Sequence, residues 1–177
     1  MRLPWYVDDV QWAYDHGYMV GTSATTFDPN AKQNQSVIFS VLARLADVNI
    51  YDYADKTSPH IMPGQWYTNA AQWAKSIGLM DKDFDPEGAV PRGDMAIIIV
   101  RYFSWLGIDI TVDDEAIVMA DEDLMTDEQI EAFTILYKIG IFAGESTTEI
   151  RMNPVADVSR CEVSALLSRL NAYMATH

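Results

Sequence analysis

The sequence predicts an all-α protein in which three tandem helix-loop-helix repeats pack as one pseudo-threefold helical body. Two observations carry this. The first is a long internal period: Gly17, Gly78 and Gly140 stand 61 and 62 residues apart, and matching segments lead into them, "WYVDDVQWAYDHG" (5–17), "WYTNAAQWAKSIG" (66–78) and "EQIEAFTILYKIG" (128–140). The second is a recurring apolar stripe. Ile38/Val41/Leu42/Leu45, Met95/Ile98/Ile99/Tyr102 and Val163/Leu166/Leu167/Leu170 repeat the i, i+3, i+4, i+7 spacing of a helix with one buried face.

Each unit reads the same way along the chain. A first helix stops at the Gly, which suits the left-handed residue that ends a helix. In the third unit this helix opens at Thr126 with Gln129 three residues on. A short variable stretch leads to "FDP" (27–29), "FDP" (84–86) or "MNP" (152–154), and six residues past each Pro lie Gln35, Arg92 and Arg160. There the second helix begins: "NQSVIFSVLARL" (34–45), "PRGDMAIIIVRY" (91–102) and "SRCEVSALLSRL" (159–170), each with an Arg nine residues later at Arg44, Arg101 or Arg169. Ser159 with Glu162 is a capping box, the hydroxyl accepting from the N3 amide while the carboxylate reaches back to the N-cap amide. The second unit keeps the acid as Asp94 but has Pro91 at the cap, and the first keeps a capping Asn34 but has Val37 for the acid. Loss of a cap costs on the order of 1 kcal/mol, so neither departure forbids the helix.

One helical pair cannot bury its own apolar face, so the three must share a core. The polar stretches "YDYADKTSPHIMPGQ" (51–65) and Asp109–Thr126 divide the chain into units 1–50, 51–113 and 114–177.

Composition limits the chemistry. A chain of 177 residues with 49% hydrophobic content can fill a globular core, and no apolar run approaches the roughly 20 residues of a membrane span. Met1-Arg2-Leu3-Pro4 leads into folded-looking sequence in place of a signal peptide, which marks the chain as cytosolic or an excised piece. A net charge of −14 repels nucleic-acid backbones and anionic bilayers. One cysteine, Cys161, and three scattered histidines suit neither a disulfide framework nor a metal or cofactor site. The acidic run 112–128 lacks the Asp-x-Asp-x-Asp-Gly order of a calcium loop and reads as a solvated connector. No histidine or nucleophilic Ser or Cys recurs in the repeat, so the chain is not expected to be an enzyme. Arg92-Gly93-Asp94 spells an adhesion tripeptide, but it runs directly into Met95–Val100, an apolar stretch that must be buried. Its reading is structural.

The pattern W…G…(F)xP…TRAE…R resembles the S-layer homology domains of bacterial envelope proteins, which usually occur as three tandem copies. The family's Thr-Arg-Ala-Glu tetrapeptide is similar to "PRGD" (91–94), "SRCE" (159–162) and a degenerate "NQSV" (34–37). The aromatic-x-Asp element that opens a family repeat is similar to Tyr53-Ala54-Asp55 and Met119-Ala120-Asp121, with nothing equivalent before Trp5, so the first unit reads as N-terminally incomplete.

The resemblance implies a secreted module of the cell wall or S-layer. It would be held non-covalently by secondary cell-wall polysaccharide, often pyruvate-bearing, in grooves between the three lobes. On that reading Arg92 and Arg160 offer bidentate guanidinium bonds to a carboxylate. Asp94 and Glu162 are their motif acids, Asp55 and Asp121 accept hydroxyls or orient Arg, and Trp5 and Trp66 stack on sugar rings. Gln35 can offer only a neutral amide. The competing reading of Arg92 and Arg160 is a fold-holding ion pair with a neighbouring lobe. Trp12 and Trp73, on the inner helix face, are expected in the core. Two alternatives stand beside the polysaccharide anchor: peptidoglycan binding, which suits the acidic surface if the wall component bears amines, and an architectural or protein-binding module whose glycan sites have degenerated.

Overall fold

The computed structural model describes residues 3–80, 83–144, 146 and 148–177. Met1 and Arg2, read above as the lead into folded sequence, lie outside them. The described residues form six α-helices: α1 Val7–Asp15, α2 Gln35–Leu45, α3 Thr68–Ser76, α4 Arg92–Leu106, α5 Asp127–Lys138 and α6 Arg160–Met174. Two 3-10 turns, Ile50–Tyr53 and Glu122–Leu124, interrupt the stretches read as plain connectors. Extended pairing among these residues is confined to isolated bridges. The protein is therefore all-α.

Local chemistry sets the helix ends. Asn34 Oδ1 accepts from the Val37 amide at 3.1 Å, and capping boxes open α5 at Thr126/Gln129 and α6 at Ser159/Glu162. Pro91 opens α4 without a side-chain cap. Gly17, Gly78 and Gly140 take φ of 71°, 76° and 77°, the left-handed conformation that lets the chain turn away while buried Met19, Leu79 and Ile141 fold back on the helix just ended. α4 and α6 each run four residues beyond the periodic stripe, to Leu106 and Met174. In α4 the extension places Trp105 edge-on against Trp73, with ring centroids 5.4 Å apart.

The helices make their most extensive contacts across the units. α3 packs on α2 and α5 on α4, and α1, the first helix of the chain, packs on α6, the last. Each lobe therefore combines a helix from one unit with a helix from the next, and the termini close the circle. All six helices feed one continuous core, in which Trp73, Tyr102, Phe39, Phe103 and Phe133 are almost fully buried. Burial pushes the Tyr102 hydroxyl far above its ordinary pKa, and its proton is donated to the Leu42 carbonyl at 3.2 Å. Trp12 corrects an expectation. It is half-buried, packed against the core on one side and stacked on Tyr18 at 5.2 Å.

At the centre, three backbone hydrogen bonds form a ring. The Gln33 amide donates to Val158 O at 2.9 Å, Val158 to Val90 O at 2.9 Å, and Val90 to Gln33 O at 3.1 Å. One step outward the pattern recurs: the Gln35, Arg92 and Arg160 amides donate to the Gly88, Ala156 and Ala31 carbonyls. The first amides of α2, α4 and α6 are thus satisfied by the Pro-containing loop of another unit.

This cyclic arrangement predicts that residues 114–177 alone do not fold, since α6 loses α1 and α5 loses α4. A circular-dichroism melt should show no cooperative transition, and a cooperative one would contradict the shared core. A second expectation concerns Gln33, which is 4% exposed with its Oε1 unpartnered among the described residues, where the corresponding ring positions carry Val90 and Val158. Gln33→Val should stabilise the protein by about 1 kcal/mol in urea titrations.

Candidate functional site

Two concave grooves stand between the lobes, and their linings correspond position by position under the repeat. The first, of about 310 Å³, is walled by α2, α4 and the start of α5 and includes Gln35, Met80, Asp94, Ile98, Arg101 and Glu128. The second, of about 370 Å³, is walled by α4, α6 and the segment before α1, and presents Arg92, Phe142, Glu162, Leu166, Arg169 and Trp5 at the same respective positions. Glu128 and Trp5 correspond because each lies 12 residues before the Gly that ends its helix. The grooves are therefore one scaffold carrying two sets of side chains.

Arg92 forms part of the second groove's wall yet is only 5% exposed. Its Nε donates to Met152 O at 2.7 Å and Nη2 to Ala143 O at 3.3 Å; Nη1 is ion-paired with Glu162, and the guanidinium lies 5.3 Å from the Phe142 ring centroid. Glu162 belongs to the next unit, so this is the lobe-to-lobe ion pair of the competing reading. Arg160 repeats the geometry half-exposed. Nε donates to Phe27 O at 2.8 Å, Nη2 bonds Val20 O, and the Phe27 ring lies 4.5 Å away. Burial lowers the Arg160 pKa from its usual value. Gln35 meets its loop with the opposite polarity, its Oε1 accepting from the Asp85 amide at 3.2 Å.

The acids divide. Asp94 lines the first groove, 3.3 Å from Gln129 Nε2, and Glu162 is shared between Arg92 and the Ser159 cap, whose amide it accepts at 2.8 Å. Asp121 is 2% exposed with both oxygens taken by backbone amides, Met152 at 3.1 Å and Asn153 at 2.6 Å. It holds the loop whose Met152 carbonyl receives Arg92, and it faces the interior where a hydroxyl acceptor would face a ligand. Asp55 is exposed, so the two aromatic-x-Asp positions have different surroundings. Trp5 and Trp66 are each 62% exposed and each makes an edge contact with the following Tyr, at 5.5 Å in both cases. Of these two, Trp5 lines the second groove. The Arg-Gly-Asp tripeptide forms the first turn of α4 with Arg92 and Gly93 buried.

Arg101 and Arg169 are the lining residues that the sequence argument passed over. Their signal was present: an Arg stands nine residues into every second helix. Arg101 Nη2 is held by Glu128 Oε1 at 2.7 Å, and Arg169 Nη1 donates to Ile141 O at 2.9 Å.

Residues 3–32 match the S-layer homology domain family. The match runs from the segment before α1 to the residues just before α2. The family comprises non-catalytic modules that bind cell-wall polymers and anchor proteins at the cell surface. No curated protein matches the chain. Among the described residues no helix is long and apolar enough to cross a membrane, and no group of metal-ligating side chains could hold an ion.

The network around Arg92 predicts that Arg92→Ala costs about 2–4 kcal/mol in denaturant unfolding, because Glu162 loses its partner in a half-buried setting and Met152 O its donor. Gln35→Ala should cost under about 1 kcal/mol, as it removes one neutral bond. Equal losses would show that the guanidinium adds nothing to lobe cohesion.

Proposed function

We propose that this chain is a non-covalent cell-wall anchor built of three S-layer homology repeats, 1–50, 51–113 and 114–177, that binds secondary cell-wall polysaccharide in the grooves between its lobes. The observation that carries the reading is the second groove. An indole that is 62% exposed, an arginine and an apolar wall converge on one cavity of about 370 Å³, at the lower end of the size range for small-ligand sites. Indole faces stack on the C–H faces of sugar rings, and guanidinium recognises planar carboxylates in two-point fashion. The family match at residues 3–32 covers Trp5 itself. Arg92 and Arg160 serve this site by fixing its walls, and Gln35 does so more weakly. Trp66 supplies the corresponding platform in the next lobe.

The net charge favours a second polymer, peptidoglycan with free amines, over an acidic polysaccharide at long range. One experiment separates the two. Purified sacculi should retain the chain before extraction of the secondary polymer and release it afterwards, and Trp5→Ala should reduce retention about tenfold, the loss of one stacking contact. Undiminished retention on extracted sacculi would assign the binding to peptidoglycan.

A further inference from the structure

The acidic connector between α4 and α5 is held by a contact outside the grooves. Between Arg101 and Lys138 the chain carries ten Asp and Glu and no Lys or Arg, so Lys138 is the first such cation the connector meets downstream. Lys138 Nζ donates to Asp113 O at 2.7 Å, to Asp113 Oδ1 at 2.5 Å and to Glu115 O at 2.5 Å. An ammonium has three N–H donors and no acceptor, so all three are used. Two carbonyls and a carboxylate thus converge on one cation, the all-oxygen setting that a calcium loop builds around its ion. The Lys138 side chain is 14% exposed there. In the other units the residue two positions before the helix-ending Gly turns back on its own helix: Asp15 accepts from Gln11 Nε2 at 2.8 Å, and Ser76 Oγ donates to Trp73 O at 2.7 Å. The contact is particular to the unit that the acidic run precedes.

We propose that Lys138 is a built-in latch: its ammonium fills the oxygen cage of Asp113 and Glu115 in the place of a metal ion, and so keeps the acidic connector strapped over the ends of α5 and α6 whatever the divalent-cation level. The strap has other anchors on both sides of the cage. Tyr173 Oη, near the end of α6, donates to Asp109 O at 3.4 Å, and Ile108, Ile110 and Ile117 are partly buried against the core. Without the ammonium the cage oxygens face one another, and Asp113, Asp114 and Glu115 repel along three consecutive residues. The apolar anchors then compete with that repulsion and with the chain entropy of the loop. The latch does not depend on which polymer the grooves bind.

Limited proteolysis of the full chain with a Glu-specific endoprotease reads the latch, with first cuts mapped by mass spectrometry. Cutting at Glu115, in the strap, is compared with cutting at Glu87, in the exposed loop before α4, because cleavage of a transiently opened segment tracks the population of its open form. In the parent chain the ratio should be the same with added calcium and with chelator. Lys138→Met keeps the aliphatic stem and removes the ammonium, and should raise cutting at Glu115 about tenfold while Glu87 is cut as before. Lys138→Arg keeps the charge and should recover part of the protection. Asp113→Asn, on the side of the contact that is 75% exposed, should give a smaller rise in cutting and leave the melting curve unchanged. Unchanged cutting at Glu115 in Lys138→Met or in Asp113→Asn would overturn the latch. So would chelator-induced cutting in the parent, which would assign the strap to a bound ion, or a parallel rise at both sites in Lys138→Met, which would make Lys138 a support of the whole fold.

Discussion

The ring of backbone hydrogen bonds from Gln33 to Val158, Val158 to Val90 and Val90 to Gln33 is the constraint from which the remaining geometry follows. Each of these residues donates its N–H to the carbonyl of one neighbour and accepts at its own C=O the N–H of the other, so the three segments fix one another. Because they immediately precede α2, α4 and α6, the ring also fixes where those helices start. Their first amides, which an isolated helix leaves without intrahelical partners, meet the loop carbonyls of Gly88, Ala156 and Ala31. A helix start satisfied in this way does not depend on a side-chain cap. That is why Pro91 can open α4, and why Val37 can stand where the other units carry an acid.

The same close approach dictates side chains. The residue after each helix-opening Gln or Arg is small, Ser36, Gly93 or Cys161, because a Pro-containing loop lies against it. Gly93 and Cys161 donate their amides to Pro154 O and Pro29 O, and Ser36 Oγ donates to Pro86 O at 2.8 Å. A Cβ on Gly93 would come 2.5 Å from Nε2 of the Gln129 side chain, which is engaged in the capping box of α5. Arg92 and Arg160 extend the ring outward with longer reach, taking carbonyls at Met152 and Phe27 two residues before the loop prolines. What the sequence marks most strongly is therefore the closure of the body, and the groove linings sit one or two turns further along the same helices.

Sequence alone made the all-α class, the helix-ending glycines, both capping boxes and the structural nature of Arg-Gly-Asp legible, since each rests on chemistry within a few residues. The pairing of α1 with α6 was not legible, because helical periodicity identifies a buried face without naming what buries it. Arg169 escaped for a related reason. Its recurrence with Arg44 and Arg101 was plain, but what stands beside such an arginine, Trp5 in one groove and Glu128 in the other, is brought there by packing between units. Asp121 shows the converse. A motif position reads as polar and therefore exposed until the fold places it 2% exposed beneath two backbone amides.

Charge bears on function through placement more than through its sum. The net −14 sets a field that disfavours an anionic polymer at a distance, but exposed charges separated by more than about 8 Å are screened at physiological salt. Within that range the fold commits much of its sparse positive charge to itself. Arg92 is tied to Glu162, Arg101 to Glu128, and Lys138 to Asp113, whose carboxyl pKa the ammonium holds below its usual value. Arg160 is given over to two loop carbonyls. With these cations committed within the fold, an arginine that lines a cavity beside an indole weighs more than the overall balance suggests. An acidic surface around such a site also disfavours polyanions that cannot fit the groove. Of the two equivalent cavities, one sets Glu128 against Arg101 and the other sets Trp5 beside Arg169, so the same scaffold distributes charge differently from groove to groove.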